Sequence, residues 1–231
     1  LICLWFKGFS QILKAYTPRF FSLLGSFLFS VSLIAQLNIQ IGYAISFMDL
    51  PENTQILQKY QDANPWITDR FTPIKVLNGL QIGLCYTGNM CSMGVNWSYG
   101  QANTSLNGLN PADNLEFNRT LYYKLESYNF FLEAGSPRIQ LGASLNLNYL
   151  SIKDKYSPNT VKSLLIRQSV LGSQFHLNIG LSSGSVCRIN LQPFYFLPWK
   201  TFDLSPLDKT LNGSATEIHS NFKHFGIRLL L

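Results

Sequence analysis

Few residues of this chain combine a reactive type with a position that could use it. Glu126, Glu133, His176, Arg188 and Arg228 fall within alternating segments whose non-apolar face is mostly Gly, Ser, Asn and Gln. Charges enclosed in this way must pair, because an unpaired buried charge is very costly. Together they describe a polar plug or, if water reaches them, a gated ion path or proton relay. His219, Ser220 and Asn221 place a base beside a hydroxyl. A nucleophile and its base must come within hydrogen-bond reach. Neighbouring residues of a strand point to opposite faces, which argues against catalysis at this pair. The four cysteines show neither CxxC nor Cys/His metal spacing. No P-loop, GxGxxG, HExxH or EF-hand pattern is present. The expectation is therefore no catalytic residue, no cofactor and no metal.

The elements that must position these residues are strands. Leu37, Ile39, Ile41, Tyr43, Ile45 and Phe47 alternate with Asn38, Gln40, Gly42, Ala44 and Ser46. A period of two over this length is a strand with two different solvents on its faces, long for a soluble protein and suited to a tilted bilayer crossing. Leu80, Ile82, Leu84 and Tyr86 repeat the pattern, and a turn at Gly88-Asn89 leads to Met93, Val95, Trp97 and Tyr99. Such a two-residue turn pairs Thr87 with Met90 and Ile82 with Val95. A second turn at Gly135-Ser136 pairs Leu132 with Ile139 and Phe130 with Leu141. A third, at Ser183-Gly184-Ser185, pairs Leu181 with Cys187 and Ile179 with Ile189. Upstream of the second turn, Leu121, Tyr123 and Leu125 have the opposite parity to Tyr128, Phe130 and Leu132. This switch predicts a β-bulge near Glu126-Ser127. Phe225, Ile227, Leu229 and Leu231 form an eighth strand.

Three tight turns alternate with four longer connections, at about 49–75, 101–118, 151–170 and 198–215. The fold class expected is all-β: an eight-stranded antiparallel up-and-down transmembrane β-barrel with its short turns at one end. Composition decides which face meets lipid. Charged residues make up 13% of the chain, about half the usual share of a soluble domain. The non-apolar face consists mainly of small residues suited to the narrow interior of eight strands. A secreted ligand-binding barrel would instead carry Lys, Glu and Asp outside. The net charge of +6 is spread thinly, with no basic run for nucleic acid.

Lys7, Lys14 and Arg19 precede the charge-free segment FFSLLGSFLFSVSLIA and an Ala35-Gln36 junction. This order describes a secretory signal peptide. The domain organisation is thus 1–35 as signal, helical and removed together with Cys3, and 36–231 as barrel.

With its Ala-Gln junction, LNIQIGY start, NTQILQKYQDANP loop, NLQPFYFLPW segment and FGIRLLL end, the chain resembles the small eight-stranded outer-membrane barrels of Bacteroidota, of OmpA-like and OmpX-like architecture. It departs from them in ending on Leu231 instead of an aromatic residue. The resemblance implies a bacterial outer-membrane location, monomeric, with lipid and lipopolysaccharide around the wall and a structural or surface-binding role. A partner protein at the surface or in a secretion or transport assembly is the alternative, as is a lipid A or phospholipid-modifying enzyme. Outer-membrane lipid A deacylases space their His and Ser by one residue, unlike His219-Ser220. In the first long loop, Asn53 or Thr54 can cap a short helix with Ile56, Leu57 and Tyr60 at helical spacing. That loop is either a lid over the barrel mouth or, through Ile56, Tyr60 and Trp66, a recognition surface.

Overall fold

In the computed structural model, described for residues 36–88, 90–111, 115–157, 161–183, 188–214 and 216–231, eight antiparallel strands close into a barrel. They are β1 (Gln36–Met48), β2 (Val76–Thr87), β3 (Cys91–Leu109), β4 (Glu116–Gly135), β5 (Ile139–Tyr156), β6 (Ser163–Ser183), β7 (Arg188–Pro198) and β10 (His224–Leu230). Two short strands, β8 (Phe202–Asp203) and β9 (His219–Ser220), pair with each other outside the barrel. The seam joins β1 to β10, with Tyr43 opposite Leu229 and Ile45 opposite Ile227. Reciprocal backbone bonds between Ile41 and Leu231, at 3.1 and 2.8 Å, complete it. The expected signal segment lies outside the described residues, as do Asn89, Cys187 and most of the third turn.

All three hairpins shift the register; the first two keep the expected parity throughout, and the third keeps it as far as Gly180. Thr87 faces Ser92, Leu84 faces Val95 and Ile82 faces Trp97, so the first turn is two residues longer than a two-residue turn at Gly88-Asn89. The second hairpin moves by four, pairing Gly135 with Gln140, Leu132 with Ala143 and Phe130 with Leu145. Its turn is closed by Ile139 N–H donating to Ser136 O at 3.2 Å, while Gly135 takes φ 145°, a conformation that suits glycine. The third pairs Ile179 with Leu191 and Phe175 with Tyr195, with a register shift between Gly180 and Ser182.

The outward face carries the large apolar residues in the part of the barrel toward the tight turns. Leu37, Ile39 and Leu141 are 70%, 68% and 70% exposed, and Ile82 and Val95 point the same way. An apolar-inside barrel is excluded for this region. The inward face there holds Gln81, Ser92, Asn96, Asn129, Ser144, Asn146 and Asn148, all buried.

Toward the long-loop end the pattern inverts. The strands run on beyond the apolar belt, and Leu106, Leu121, Tyr123, Leu125, Leu150, Ile152, Ile166 and Phe196 point inward into one hydrophobic core. β4 pairs with both neighbours without interruption, so the expected bulge at Glu126-Ser127 does not exist. The parity switch records a change in what fills the barrel. Glu126 consequently lies on the outer face, opposite Tyr99 and Tyr149, with Lys124 Nζ 2.7 Å from its carboxylate. It is not a lumen residue. The same extension shortens two of the expected loops. β3 runs to Leu109 and β4 starts at Glu116, while β5 runs to Tyr156 and β6 starts at Ser163.

The two remaining long connections each contain a helix, α1 (Pro51–Ala63) and α2 (Ser205–Asn212). Leu50 is the N-cap of α1, in place of the expected Asn53 or Thr54, and Pro51 opens its first turn without losing a needed N–H. α1 buries Ile56, Leu57 and Tyr60, and α2 buries Leu207 and Leu211. With Phe71, Phe202, Leu204 and Phe222 these side chains continue the upper core. The loops therefore fold inward as a cap, driven by apolar burial at roughly 25 cal/mol per Å².

Candidate functional site

Two polar assemblies stand out, one in the lumen and one under the cap. In the lumen, β4 contributes Glu133, β6 contributes Gln174, His176 and Asn178, β7 contributes Gln192 and β10 contributes Arg228. The Glu133 carboxylate accepts from His176 Nε2 at 2.8 Å, Gln192 Nε2 at 3.1 Å and Asn178 Nδ2 at 3.2 Å. Arg228 donates to Gln192 Oε1 at 3.0 Å and to Gln174 Oε1 at 2.8 Å, and its guanidinium lies 4.0 Å over the Phe194 ring. Asn146 adds a 2.9 Å bond to Gln174 Oε1. Gln192 thus couples two buried opposite charges through one amide, its oxygen toward Arg228 and its nitrogen toward Glu133. Gly142 sits opposite both Glu133 and His176 in the register, and any Cβ there would collide with the His176 ring.

The structure therefore brings together Glu133, His176 and Arg228 of the residues singled out from the sequence. Arg188 does not join them. It is exposed at the tight-turn end of β7, below the network. Gln174, Asn178 and Gln192 give no sequence signal beyond their inward parity.

Under the cap, Arg119 Nε lies 3.1 Å from both carboxylate oxygens of buried Asp154. The Arg119 guanidinium also packs on Tyr60 of α1 at 5.0 Å and Tyr156 at 6.0 Å. Both ionic residues continue the inward parity of their strands above the belt. That signal is readable only if the strands are known to extend so far. Further bonds fasten the cap. Tyr123 donates to Asn53 Oδ1 at 3.0 Å, Asn212 Nδ2 to the Ile56 carbonyl at 3.1 Å, and Gln168 Nε2 to the Asp203 carbonyl at 2.9 Å. Lys59 of α1 stands 3.6 Å from Asp208 of α2.

Ile56 and Tyr60, 2% and 8% exposed, are anchors of this cap and cannot form a recognition surface. Trp66 is half-buried, packed edge-on to Phe117 with ring centroids 5.2 Å apart. Ser220 is fully buried and donates to Glu52 Oε2 at 2.6 Å, whereas His219 is exposed. The two side chains diverge, and no His/Ser dyad forms there.

The cap also carries a pH dependence. Burial alone would raise the Asp208 pKa, but hydrogen bonds from Asn212 and Ser214 and the Lys59 ammonium outweigh it and hold it below the ordinary carboxylate value. At Asp203, the Ser205 hydroxyl bond lowers the pKa and outweighs partial desolvation. A depressed folded-state pKa contributes stability above the unfolded value and loses it as pH falls through the folded one. Docking of α1 on α2 is expected to hold above about pH 4 and to weaken progressively below it. Pepsin cleavage within the cap, followed from about pH 4 to about pH 2, should accelerate more steeply than cleavage of a reference unfolded peptide.

No family model matches the chain, and no curated protein does. Among the solved structures similar to the chain are two of low identity. One is Ail, the attachment invasion locus protein of Yersinia pestis, in complex with the heparin analogue sucrose octasulfate. It has 14% identity and a TM-score of 0.44, covering 86% of this chain and 97% of Ail. The other is Neisserial surface protein A, with 9% identity and a TM-score of 0.40, covering 85% of this chain and 96% of that one.

Proposed function

We propose that the protein is a bacterial outer-membrane barrel with a filled lumen, which serves as a structural or surface-presenting element and carries out no catalysis. One observation carries this reading. The apolar residues form a continuous outward belt around a polar, hydrogen-bonded interior, the reverse of a water-soluble barrel. Hydrocarbon tolerates only structures whose backbone groups are satisfied internally, and a closed barrel has no unpaired edge. The lumen network and the hydrophobic cap both obstruct the path a solute would take, which favours a static role over transport. The surface offered to the exterior is the outer face of the cap and the upper strand rim. Candidate partners are outer-membrane lipid, lipopolysaccharide and a surface protein, with the barrel as a monomer.

The test is phase partitioning of the extracted protein, combined with electrophoresis of boiled and unboiled samples. The protein should enter the detergent phase and migrate differently before and after boiling. Recovery in the aqueous phase without detergent would refute the reading.

A further inference from the structure

Immediately above the apolar belt, the outer face of β4, β5 and β6 becomes cationic. The register aligns Lys124, Ser151 and Arg167 in one row across the three strands. One row higher, Tyr122 faces Lys153, and the Lys162 ammonium lies 3.7 Å over the Tyr122 ring. Lys124 stands 5.0 Å over the Tyr99 ring and pairs with Glu126. No ion pair among the described residues engages Lys153, Lys162 or Arg167. Below and beside this patch, the outer wall forms an open groove of about 770 Å³ that runs from Ile39 of β1 and Ile82 of β2, past Val95 of β3, to Tyr128, Leu145 and Leu171 of β4 to β6. Cations over an apolar groove are complementary to a lipid with an anionic head.

We propose that this wall binds one phosphorylated, multiply acylated saccharolipid, the lipid A part of lipopolysaccharide. Its acyl chains lie in the groove and its phosphates meet Lys153, Lys162 and Arg167. The Lys162 ammonium sits over Tyr122 of β4, Lys153 is on β5 and Arg167 on β6. Neighbouring strands are about 4.8 Å apart, so these three cations span roughly 10 Å, more than a single phosphate covers. That spread suits a head with two phosphates better than a phospholipid with one. Arg167 adds the planar donor fork that matches phosphate oxygens. Tyr99, Trp97 and Tyr128 supply rings at the level where aromatic side chains meet headgroups. The proposal rests on the membrane reading above.

The experiment is native mass spectrometry of the purified protein in non-ionic detergent, titrated with bisphosphorylated lipid A, monophosphorylated lipid A or phosphatidylglycerol. One bisphosphorylated lipid A per barrel is expected, with weaker retention of the other two. Neutralising three cations in a Lys153→Gln, Lys162→Gln, Arg167→Gln variant should weaken binding by about a hundredfold, whereas Lys153→Arg retains it. Equal retention of phosphatidylglycerol, unchanged lipid A binding by the triple variant, or no bound lipid would overturn the site. In each of these cases, entry of the same protein into the detergent phase leaves the membrane reading standing, so the two failures are separable.

Discussion

Replacing Glu133 by Leu should destabilise the barrel by about 3–5 kcal/mol, because it strands Arg228 as a buried charge with no counter-ion. Glu133 is 3% exposed and accepts three hydrogen bonds, so the substitution also removes the acceptor of His176, Asn178 and Gln192. Urea unfolding of the folded protein, read as loss of the heat-modifiable band, measures the cost. The coupling can be isolated. Glu133 and Arg228 do not touch, yet Gln192 orients its amide between them. Removing both charges as Glu133→Leu with Arg228→Met should cost less than the sum of the single changes by about 1 kcal/mol or more. Additive costs would mean that the two charges are stabilised independently and that the Gln192 relay carries no energy.

Arg119→Ala should open the cap while sparing the barrel. Arg119 neutralises Asp154, which is 2% exposed, and packs its guanidinium on Tyr60 of α1. Breaking a buried pair on one side costs about 3–5 kcal/mol. The loss is expected to fall on the least stable unit, the cap. Amide exchange in α1 should accelerate by roughly a hundredfold or more, and trypsin should cut at Lys59, while exchange in the β3 to β5 ladder stays slow. Asp154→Asn keeps a hydrogen-bond acceptor and should open the cap less. Uniform acceleration across barrel and cap would show that the ion pair belongs to the barrel wall instead.

The parity of the strands in the lower barrel was legible in the sequence, because each residue there chooses between two unlike environments. Register was not. Along most of each hairpin the errors are even-numbered, by two, four and two, and an even shift leaves side chains on their faces; past Gly180 the irregularity turns the third into an odd shift of three. Hydrophobic pattern therefore cannot separate these alternatives, and turn length must. The bulge expected near Glu126 arose from assuming that apolar always means outward. Above the belt, Leu121, Tyr123 and Leu125 face a cap whose apolar side chains fill the barrel mouth, so inward becomes the apolar direction. The same assumption moved Glu126 into the lumen, and Asp154 lay hidden in a supposed loop. His176, Glu133 and Arg228 were legible because inward parity holds throughout their strands. The amides that join them look like any other lumen filler. Ile56, Leu57 and Tyr60 were correctly grouped by helical spacing, but spacing does not say whether a stripe faces a core or a partner.

The central claim is that the outward belt meets hydrocarbon and that the strands rise out of it toward the cap. Nitroxide labels attached at Leu141→Cys, Leu145→Cys and Lys153→Cys, in a background without the native cysteines and reconstituted in bilayers, test this directly. Relaxation enhancement by oxygen and by a water-soluble nickel chelate reports the solvent at each site. The labels at 141 and 145 should respond to oxygen and be shielded from nickel, and the label at 153 should show the reverse. Nickel access at 141 and 145 as high as at 153 would contradict the account.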